Sequence, residues 1–455
     1  MGTAPPLEPS RPARSTGFSQ PYREAKAASR TPKDQKTVTA KNGATATVRK
    51  DGKVATLSDP KRGMEVHHSL IGNRSVVSER PDHSRIVAER GGRGYVQTPF
   101  RYNNREFVRR SYYYGGRYYN AYYGRYHYRG IYLYPYYSNY YYNPYYYGWV
   151  VNPWATPAPY AWGWATNPWY GYYGAYFTPY PSYAGPAFWL TDYLIAASLA
   201  AAYDAHEQAA ALTNTAPLTP EVKQLIADEV RQQVTLEYNE SKAAEPDNKI
   251  NSIHLLLTDG KQHVFVAAHD LDVIDVNGGE CALSPGDAIQ LRNGPSGDDQ
   301  SATLAVIASK GGNECPSGDL VSVALPDLQE MQNHMRETID QGMQELQKKQ
   351  GTGGLPAAPG SAKDPPKESA MALAAPPPPP EAEVKAEIRQ ASQDANQAER
   401  DAGVAPFDIH AGMTIAEVEV AMGAPQMQLG VAPMKIYIYK DMKITFRDGK
   451  VSDVQ

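Results

Sequence analysis

Arginine and tyrosine alternate between residues 93 and 129, and this pattern is typical of a contact surface. Aromatic faces stack on nucleobases for about 1–3 kcal/mol each. The same faces stack on sugar rings, while arginine pairs with phosphates or acidic sugars and adds cation–π energy. The alternative, in which the tyrosines pack on one another as a β-rich aromatic core without a ligand, stays open at this point.

Tryptophan residues follow a second pattern. The run from Trp149 to Trp154, Trp-Val-Val-Asn-Pro-Trp, recurs 15 residues later as Trp-Ala-Thr-Asn-Pro-Trp. Proline disfavours a helical conformation at the preceding asparagine, so we expect bent, extended turns that expose both tryptophans. The predicted contact residues of the whole segment are Trp149, Trp154, Trp164, Trp169, Arg117, Arg125, Tyr118 and Tyr126.

Metal binding and catalysis gain little support from the remaining polar residues. The acidic run that begins at Asp270 resembles a calcium loop, but Ile274 and Cys281 occupy two positions that need oxygen ligands. Three histidines could converge on neighbouring strands, yet no Cys, Asp or Glu recurs with a ligand spacing; they are His254, His263 and His269. We therefore predict a protein that is not an enzyme and that has no metal and no cofactor.

The two cysteines of the chain, Cys281 and Cys315, both follow a glutamate beside a glycine-rich turn. We predict that they form one disulfide in a small β module. The competing interpretation is two reduced, buried cysteines, which a cytoplasmic location would favour.

Aromatic residues and charge are distributed unevenly along the 455 residues. The stretch from Tyr95 to Tyr193 holds 29 of the 34 tyrosines and all six tryptophans. Residues 1–190 carry 25 Lys/Arg against 10 Asp/Glu (+15), and residues 191–455 carry 20 against 39 (−19). This asymmetry favours a basic half that faces an anionic polymer or surface, or that docks on the acidic half.

The first half of the chain is predicted to pass from a tail into short β segments. Residues 1–36 are basic and poor in aliphatic residues, which indicates disorder, and they contain no apolar secretion segment. Either the protein is cytoplasmic or its true start lies upstream of Met1. An Asp51-Gly52 turn predicts a hairpin, and further strands are expected at 74–79, 84–89, 95–100 and 105–114.

Helical patterns surround the cysteine module. Residues 188–212 predict an Ala-rich helix that docks on the aromatic segment; Asp192 disfavours a membrane span, and peripheral membrane association stays open. Thr219 and Pro220 predict the start of a second helix. Five strands follow, from 253–257 to 320–324, and a helix capped by Asp327 and Glu330 closes the module.

The last fifty residues resemble a known family. The runs Gly412-Met413-Thr414, Gly423-Ala-Pro425, Tyr437-Ile-Tyr439 and Phe446-Arg-Asp448-Gly449 are similar to those of the SmpA/OmlA domain, which is typified by an outer-membrane assembly lipoprotein. The resemblance implies a helix followed by antiparallel strands, a bacterial envelope setting and a protein-docking role without catalysis. This chain lacks the N-terminal lipid-anchor cysteine, so membrane anchoring is not implied.

We predict an α+β multi-module fold with small antiparallel β units, a helix-flanked small barrel or sandwich, a Tyr/Trp-rich irregular segment and a C-terminal helix-plus-sheet domain. The predicted modules are residues 1–36 (tail), 37–100 (β unit), 101–187 (Tyr/Trp-rich segment), 188–212 (helix), 218–349 (cysteine module), 350–380 (Pro/Gly linker), 381–400 (solvated helix) and 407–455 (SmpA/OmlA-like domain).

The function expected from this organisation is a non-catalytic cell-envelope protein that binds a protein or glycan partner through the Tyr/Trp-rich segment. Its expected location is the periplasm or the outer membrane. The alternative is a cytoplasmic, nucleic-acid-associated protein that uses the same Arg/Tyr surface.

Overall fold

The computed structural model describes residues 32–454, except residues 34, 41, 115, 165, 206–214, 244–246, 250, 313, 404–411, 416–417, 420–424, 432 and 440–442. The chain divides into two compact units: residues 1–33 with 98–378, and residues 34–97 with 379–455. Most of the predicted tail and the end of the Ala-rich helix lie outside the described residues. The predicted α+β class with several antiparallel sheets is confirmed.

The second unit opens with an antiparallel meander in which each strand pairs with the next. Its strands are β1 (Lys36–Thr39), β2 (Thr45–Val48), β3 (Val54–Asp59), β4 (Met64–His68), β5 (Arg74–Glu79), β6 (Arg85–Glu89) and β7 (Arg93–Tyr102), with a 3-10 turn at Arg90–Gly92. The predicted hairpin between β2 and β3 is confirmed, and Gly52 supplies the positive φ, 85°, that its turn requires. Strand β7 continues past Gln97, the last residue of the second unit's first segment.

Tyrosine-rich strands begin the first unit. They are β8 (Arg105–Tyr114), β9 (Arg117–Gly124), β10 (Tyr126–Tyr128), β11 (Ile131–Leu133), β12 (Tyr136–Tyr137) and β13 (Tyr140–Tyr141). Strands β8 and β9 form a long hairpin in which Tyr112 faces Tyr119. Side chains alternate across the pleat, but both faces of this hairpin are largely covered, because Phe107 and Val108 are both buried.

Helices follow these strands in the first unit. They are α1 (Pro144–Val151), α2 (Pro168–Tyr173), α3 (Pro186–Ala205), α4 (Pro220–Lys242), α5 (Ile253–Thr258) and α6 (Leu325–Lys349). Thr219 caps α4 as predicted, accepting a hydrogen bond from the Val222 N–H. Helix α6 is buried along most of its length and lies beside α3, α4, β11 and β12.

Two predicted elements are wrong in this unit. The strand expected at 253–257 is helix α5, because the Ser252 hydroxyl accepts from the His254 N–H and caps a helical turn. Helix α6 begins at Leu325 rather than at an Asp327 cap, since Pro326 in its first turn already has a helical φ.

The cysteine module contains one antiparallel sheet. Its strands are β14 (Val264–Val266), β15 (Leu271–Asp275), β16 (Glu280–Leu283), β17 (Ala288–Asn293), β18 (Ser301–Ala308) and β19 (Leu320–Ala324). Their order, β14-β17-β18-β19-β15-β16, has two separate ends, so this sheet is not a closed barrel.

The segment expected to be a linker is packed on the first unit. It contains a 3-10 turn at Gly360–Ala362, strand β20 (Lys367–Glu368) and helix α7 (Ala370–Ala374). Leu355, Ala358 and Ala362 join the main aromatic core, and Met371 packs beside Phe107. Apolar side chains between the prolines give this segment a buried face, which its Pro/Gly-rich composition did not indicate.

The second unit resumes with α8 (Glu381–Asp401), which packs on β4, β5 and β6. The expectation of a solvated helix is wrong, because one face is apolar and buried: Val384, Ile388, Ala391, Ala395 and Ala398. Glu399 on this face lies 2.8 Å from Arg74 Nη2 and 2.7 Å from His68 Nε2.

The C-terminal strands form a four-stranded antiparallel sheet: β21 (Met427–Val431), β22 (Met434–Ile438), β23 (Lys443–Arg447) and β24 (Lys450–Val454). Asp448 and Gly449, with φ values of 52° and 78°, form the predicted turn between β23 and β24. Tyr437, Phe446 and Met413 share a small core. Much of the preceding predicted helix, including its end at Gly423, lies outside the described residues.

Candidate functional site

The tryptophans predicted as exposed contacts lie mainly in the core of the first unit. The exposed fraction of the side chain is 9 % for Trp154, 3 % for Trp164 and 8 % for Trp169. Trp149 is half-buried, and its ring centroid lies 6.1 Å from that of Trp154. The expectation of exposure is wrong. Proline starts a helix in each region, at Pro144 and Pro168, and these helices, which carry Trp149 and Trp169, pack beside α3.

Stacked rings hold this core together. The Trp162 ring stacks on Trp164 at a centroid distance of 4.1 Å and on Trp189 at 4.6 Å, and Trp189 stacks on Tyr193 at 5.6 Å. Such pairs contribute about 0.5–1.5 kcal/mol each beyond the burial of apolar area. The segment from Trp149 to Tyr193 is therefore largely a structural core.

Four other predicted contact residues lie on or beside strand β9. Arg117 is exposed and Tyr118 is half-buried at the turn end of the β8–β9 hairpin. Arg125 and Tyr126 lie at the start of the small hairpin formed by β10 and β11. We call residues 125–133 the aromatic hairpin, because it combines rings and arginines that keep part of their exposure.

The geometry of the aromatic hairpin follows from a two-residue turn. Arg129 and Gly130 have φ values of 50° and 81°, as such a turn requires. The pairing places Tyr126 and Tyr128 on the same face as the buried Leu133. His127 is exposed on the other face, opposite Tyr132.

Rings and a cation meet on both faces of the aromatic hairpin. The Arg125 guanidinium lies 3.6 Å from the centroid of the half-buried Tyr132 ring, and the His127 ring lies 5.1 Å from it. On the opposite face, Tyr128 and His254 of α5 meet edge to face at 4.4 Å. The hairpin can therefore stack on a planar ligand or on the flat face of a sugar ring.

Electrostatics limit what the aromatic hairpin can do. Arg125 forms an ion pair with Glu106, and Arg129 donates to the backbone carbonyls of Gly297 and Pro295. Burial lowers the pKa of His254, with contributions from nearby cations, and burial raises the pKa of Tyr126. Both rings are therefore neutral at pH 7, so neither adds a charge to the surface of the hairpin.

Several carboxyl groups lie buried around helix α6. Glu330 accepts two hydrogen bonds from Arg110, at 2.7 and 2.8 Å. Asp340 accepts from the Tyr136 hydroxyl at 2.9 Å, and Glu237 of α4 accepts from Tyr147 at 2.6 Å. The tyrosine hydroxyls thus satisfy acidic groups that would otherwise be costly to bury.

The protonation of this network indicates a structural role. Burial raises the pKa of Glu237 well above 4.5, and the neighbouring Asp340 raises it further. Both effects favour the protonated form of Glu237, in which the carboxyl group carries no charge. Both side chains are buried inside the unit, so this acid pair belongs to an interior hydrogen-bond network rather than to a surface site.

His263, one of the three histidines considered as metal ligands, lies between two carboxylates. Its Nδ1 lies 2.9 Å from Glu229, and its Nε2 lies 3.0 Å from both oxygens of Asp259. Burial alone would lower the pKa of His263, but the two carboxylates raise it above 6.5. His254 and His269 are not part of this triad, and among the described residues no group of three or more His, Cys, Asp or Glu side chains could hold a metal ion.

The predicted disulfide is confirmed. Cys281 on β16 and Cys315 are bonded, with their Cα atoms 4.9 Å apart. Cys315 is fully buried, and its N–H donates to the Ala282 carbonyl, so the bond joins two adjacent segments of the sheet.

Comparison with known proteins yields no family. No family model matches the sequence, and no curated protein and no solved structure matches it significantly. Within the described part of the chain, no helix is long and apolar enough to cross a membrane.

Three further members of the site were not among the predicted contact residues: His127, Tyr132 and His254. The signal available was the alternation Tyr126-His127-Tyr128 before an Arg129-Gly130 turn, which indicates a short hairpin. No sequence signal linked His254 to the hairpin, because that contact joins residues far apart in the chain.

Proposed function

We propose that this chain is a non-catalytic interaction protein of the bacterial cell envelope, which binds a protein or glycan partner through the aromatic hairpin. The observation that carries the proposal is the half-exposed ring set on the hairpin, where Tyr132 lies under the Arg125 guanidinium at 3.6 Å. Amphipathic rings with a positioned cation suit sugar faces and the aromatic anchors of protein interfaces.

The disulfide supports the envelope location. Disulfides persist in the periplasm and at cell surfaces, whereas cytosolic thiols are kept reduced. Both cysteines of the chain are used in this one bond, which joins segments 34 residues apart. The resemblance of the C-terminal residues to the SmpA/OmlA domain favours the same compartment, in the periplasm or at the outer membrane.

The cytoplasmic nucleic-acid alternative has less support. A nucleic-acid surface needs arginines directed at phosphates. Here Arg110 pairs with Glu330, Arg109 donates to the carbonyls of Pro376 and Pro377, and Arg125 pairs with Glu106.

A binding experiment on the full oxidised chain tests the proposal. We expect Tyr132→Ala to weaken cosedimentation with purified cell-wall sacculi, or cross-linking to envelope proteins, by about tenfold, since one stacked ring contributes on the order of 1–3 kcal/mol. The matched control is Tyr145→Ala. Tyr145 lies on α1, outside the aromatic hairpin, and its exposed fraction is 66 %.

Two results would refute the proposal. One is equal binding by both variants and the parent chain to every envelope fraction. The other is tight binding to single-stranded oligonucleotides that weakens steeply with salt, which would favour the nucleic-acid alternative.

A further inference from the structure

A lysine, an aspartate and a glutamate meet in the interior of the cysteine module. Lys310 Nζ lies 2.5 Å from Asp287 Oδ1 and 3.5 Å from Glu314 Oε1. The exposed fraction of Asp287 is 0 %, and that of Lys310 is 1 %. The desolvation cost of burying both charges offsets much of the Coulombic attraction in this salt bridge. A reaction that converts both charged groups into a neutral product would remove that cost.

We propose that Lys310 and Asp287 form an intramolecular amide bond, with Glu314 as the proton-transfer group. The contact between Nζ and Oδ1, together with a C–O bond of about 1.23 Å, places Nζ no farther than about 3.7 Å from the Asp287 carboxyl carbon. This separation is close to that of reacting atoms in an oriented pair, for which effective concentrations reach about 10⁵–10⁸ M.

The step balances without a further reactant. Lys310 Nζ passes a proton to Glu314, and its freed electron pair attacks the Asp287 carboxyl carbon to form the C–N bond. The C–Oδ1 bond then breaks, and Oδ1 leaves as water after taking up protons that came from Nζ, one of them through Glu314. An ammonium and a carboxylate become one amide and one water molecule, and nothing is oxidised or reduced.

The surrounding groups suit this step. The Ser284 N–H donates to Asp287 Oδ2 at 2.8 Å, where negative charge develops in the tetrahedral intermediate. Burial, with the nearby Glu314, raises the pKa of Asp287 to about 7, so its carboxylate readily takes up the protons that the step delivers to it. Burial alone would lower the pKa of Lys310, but Asp287 and Glu314 raise it, which is why a proton acceptor is required.

Glu314 is held in place by its neighbours. It accepts from the Lys310 N–H at 2.8 Å and from the Ser284 hydroxyl, and the next residue is the disulfide-bonded Cys315. The glutamate before this cysteine is thus tied to the sheet by the disulfide. The amide would lie inside the loop that the disulfide closes. It would join the two open ends of the β17–β18 hairpin and so form a second covalent cross-link there. This cross-link does not depend on any partner of the aromatic hairpin.

Mass spectrometry of the full, folded chain after reduction and denaturation tests the proposal. We expect a mass lower than that of the sequence by one water molecule. Trypsin should fail to cleave after Lys310. The digest should contain a branched peptide in which residues 262–292 are joined to residues 293–336, and the two parts should remain joined after the disulfide is reduced. A folded, disulfide-bonded chain that retains the full sequence mass would overturn the proposal.

Variants separate the roles of the three residues. Glu314→Gln should fold, as judged by an unchanged near-ultraviolet spectrum, but retain the water; water loss at the parent level in this variant would overturn the assigned role of Glu314. Asp287→Asn should lose ammonia rather than water if its carbonyl carbon is the one attacked, and loss of water by this variant would overturn the assignment.

The chain also contains a matched internal control. Lys223 and Asp192 form a comparably buried pair at 2.7 Å, and the group that neighbours this pair is the Tyr183 hydroxyl, which donates to Asp192, rather than a carboxylate that could accept a proton from the lysine as Glu314 does. We expect this pair to stay unlinked in the same digest. A cross-link there at equal yield would contradict the requirement for Glu314.

Discussion

Replacement of Trp164 by alanine distinguishes a structural core from a contact surface. The Trp164 side chain keeps 3 % of its exposure and stacks on Trp162 at 4.1 Å. A buried tryptophan removes about 150–250 Å² from water, which at about 25 cal/mol per Å² corresponds to about 4–6 kcal/mol. Measured losses for Phe or Trp to Ala in cores are about 3–5 kcal/mol. We therefore expect the free energy of unfolding to fall by about 4 kcal/mol.

The assay is urea denaturation of the full chain, followed by the near-ultraviolet circular dichroism of the aromatic residues. Tyr145→Ala is the control in the same segment, and it should change the free energy of unfolding by less than about 0.5 kcal/mol, because Tyr145 is exposed. A loss below about 1 kcal/mol for Trp164→Ala would refute the core assignment and restore the tryptophans as candidate contacts.

Three further predictions concern stability. Replacing Cys281 and Cys315 together by serine should lower the free energy of unfolding by about 3–4 kcal/mol in the chain-entropy estimate; no change in the urea midpoint would contradict this. Arg110→Met should cost about 3–5 kcal/mol because it leaves Glu330 buried without its cation, and the double variant with Glu330→Leu should recover part of the loss; a double-mutant cycle with no coupling would argue against the pair. Because the folded-state pKa of His263 is raised, its stabilisation should be complete below the unfolded value of 6.5 and should disappear as the pH rises through the folded value. The difference in urea midpoint between the parent and His263→Gln should therefore shrink with rising pH, and a difference that grows would show that the sign is wrong.

Local patterns predicted several elements well. The Asp51-Gly52 and Asp448-Gly449 turns and the Thr219 cap were correct, because each depends on backbone preferences within a few residues. The disulfide was also predicted, since the chain offers one pairing.

Burial was the property that the sequence did not predict. Tyrosine and tryptophan occur both at solvent-exposed surfaces and in cores. Which of the two environments they occupy depends on distant residues such as Glu237 and Asp340, which accept hydrogen bonds from buried tyrosines. The same reason explains α8, whose alanine-rich face has little hydrophobic contrast until it meets a sheet. His254 was missed because its contact with the aromatic hairpin joins residues far apart in the chain.

The redox state of Cys281 and Cys315 in the producing cell tests the proposed envelope function most directly. Cells are quenched with acid, free thiols are alkylated without reductant, and the intact chain is weighed before and after reduction. We expect neither cysteine to be alkylated until the disulfide is reduced. Alkylation of both cysteines in the folded chain before reduction would contradict this expectation and would favour the cytoplasmic alternative.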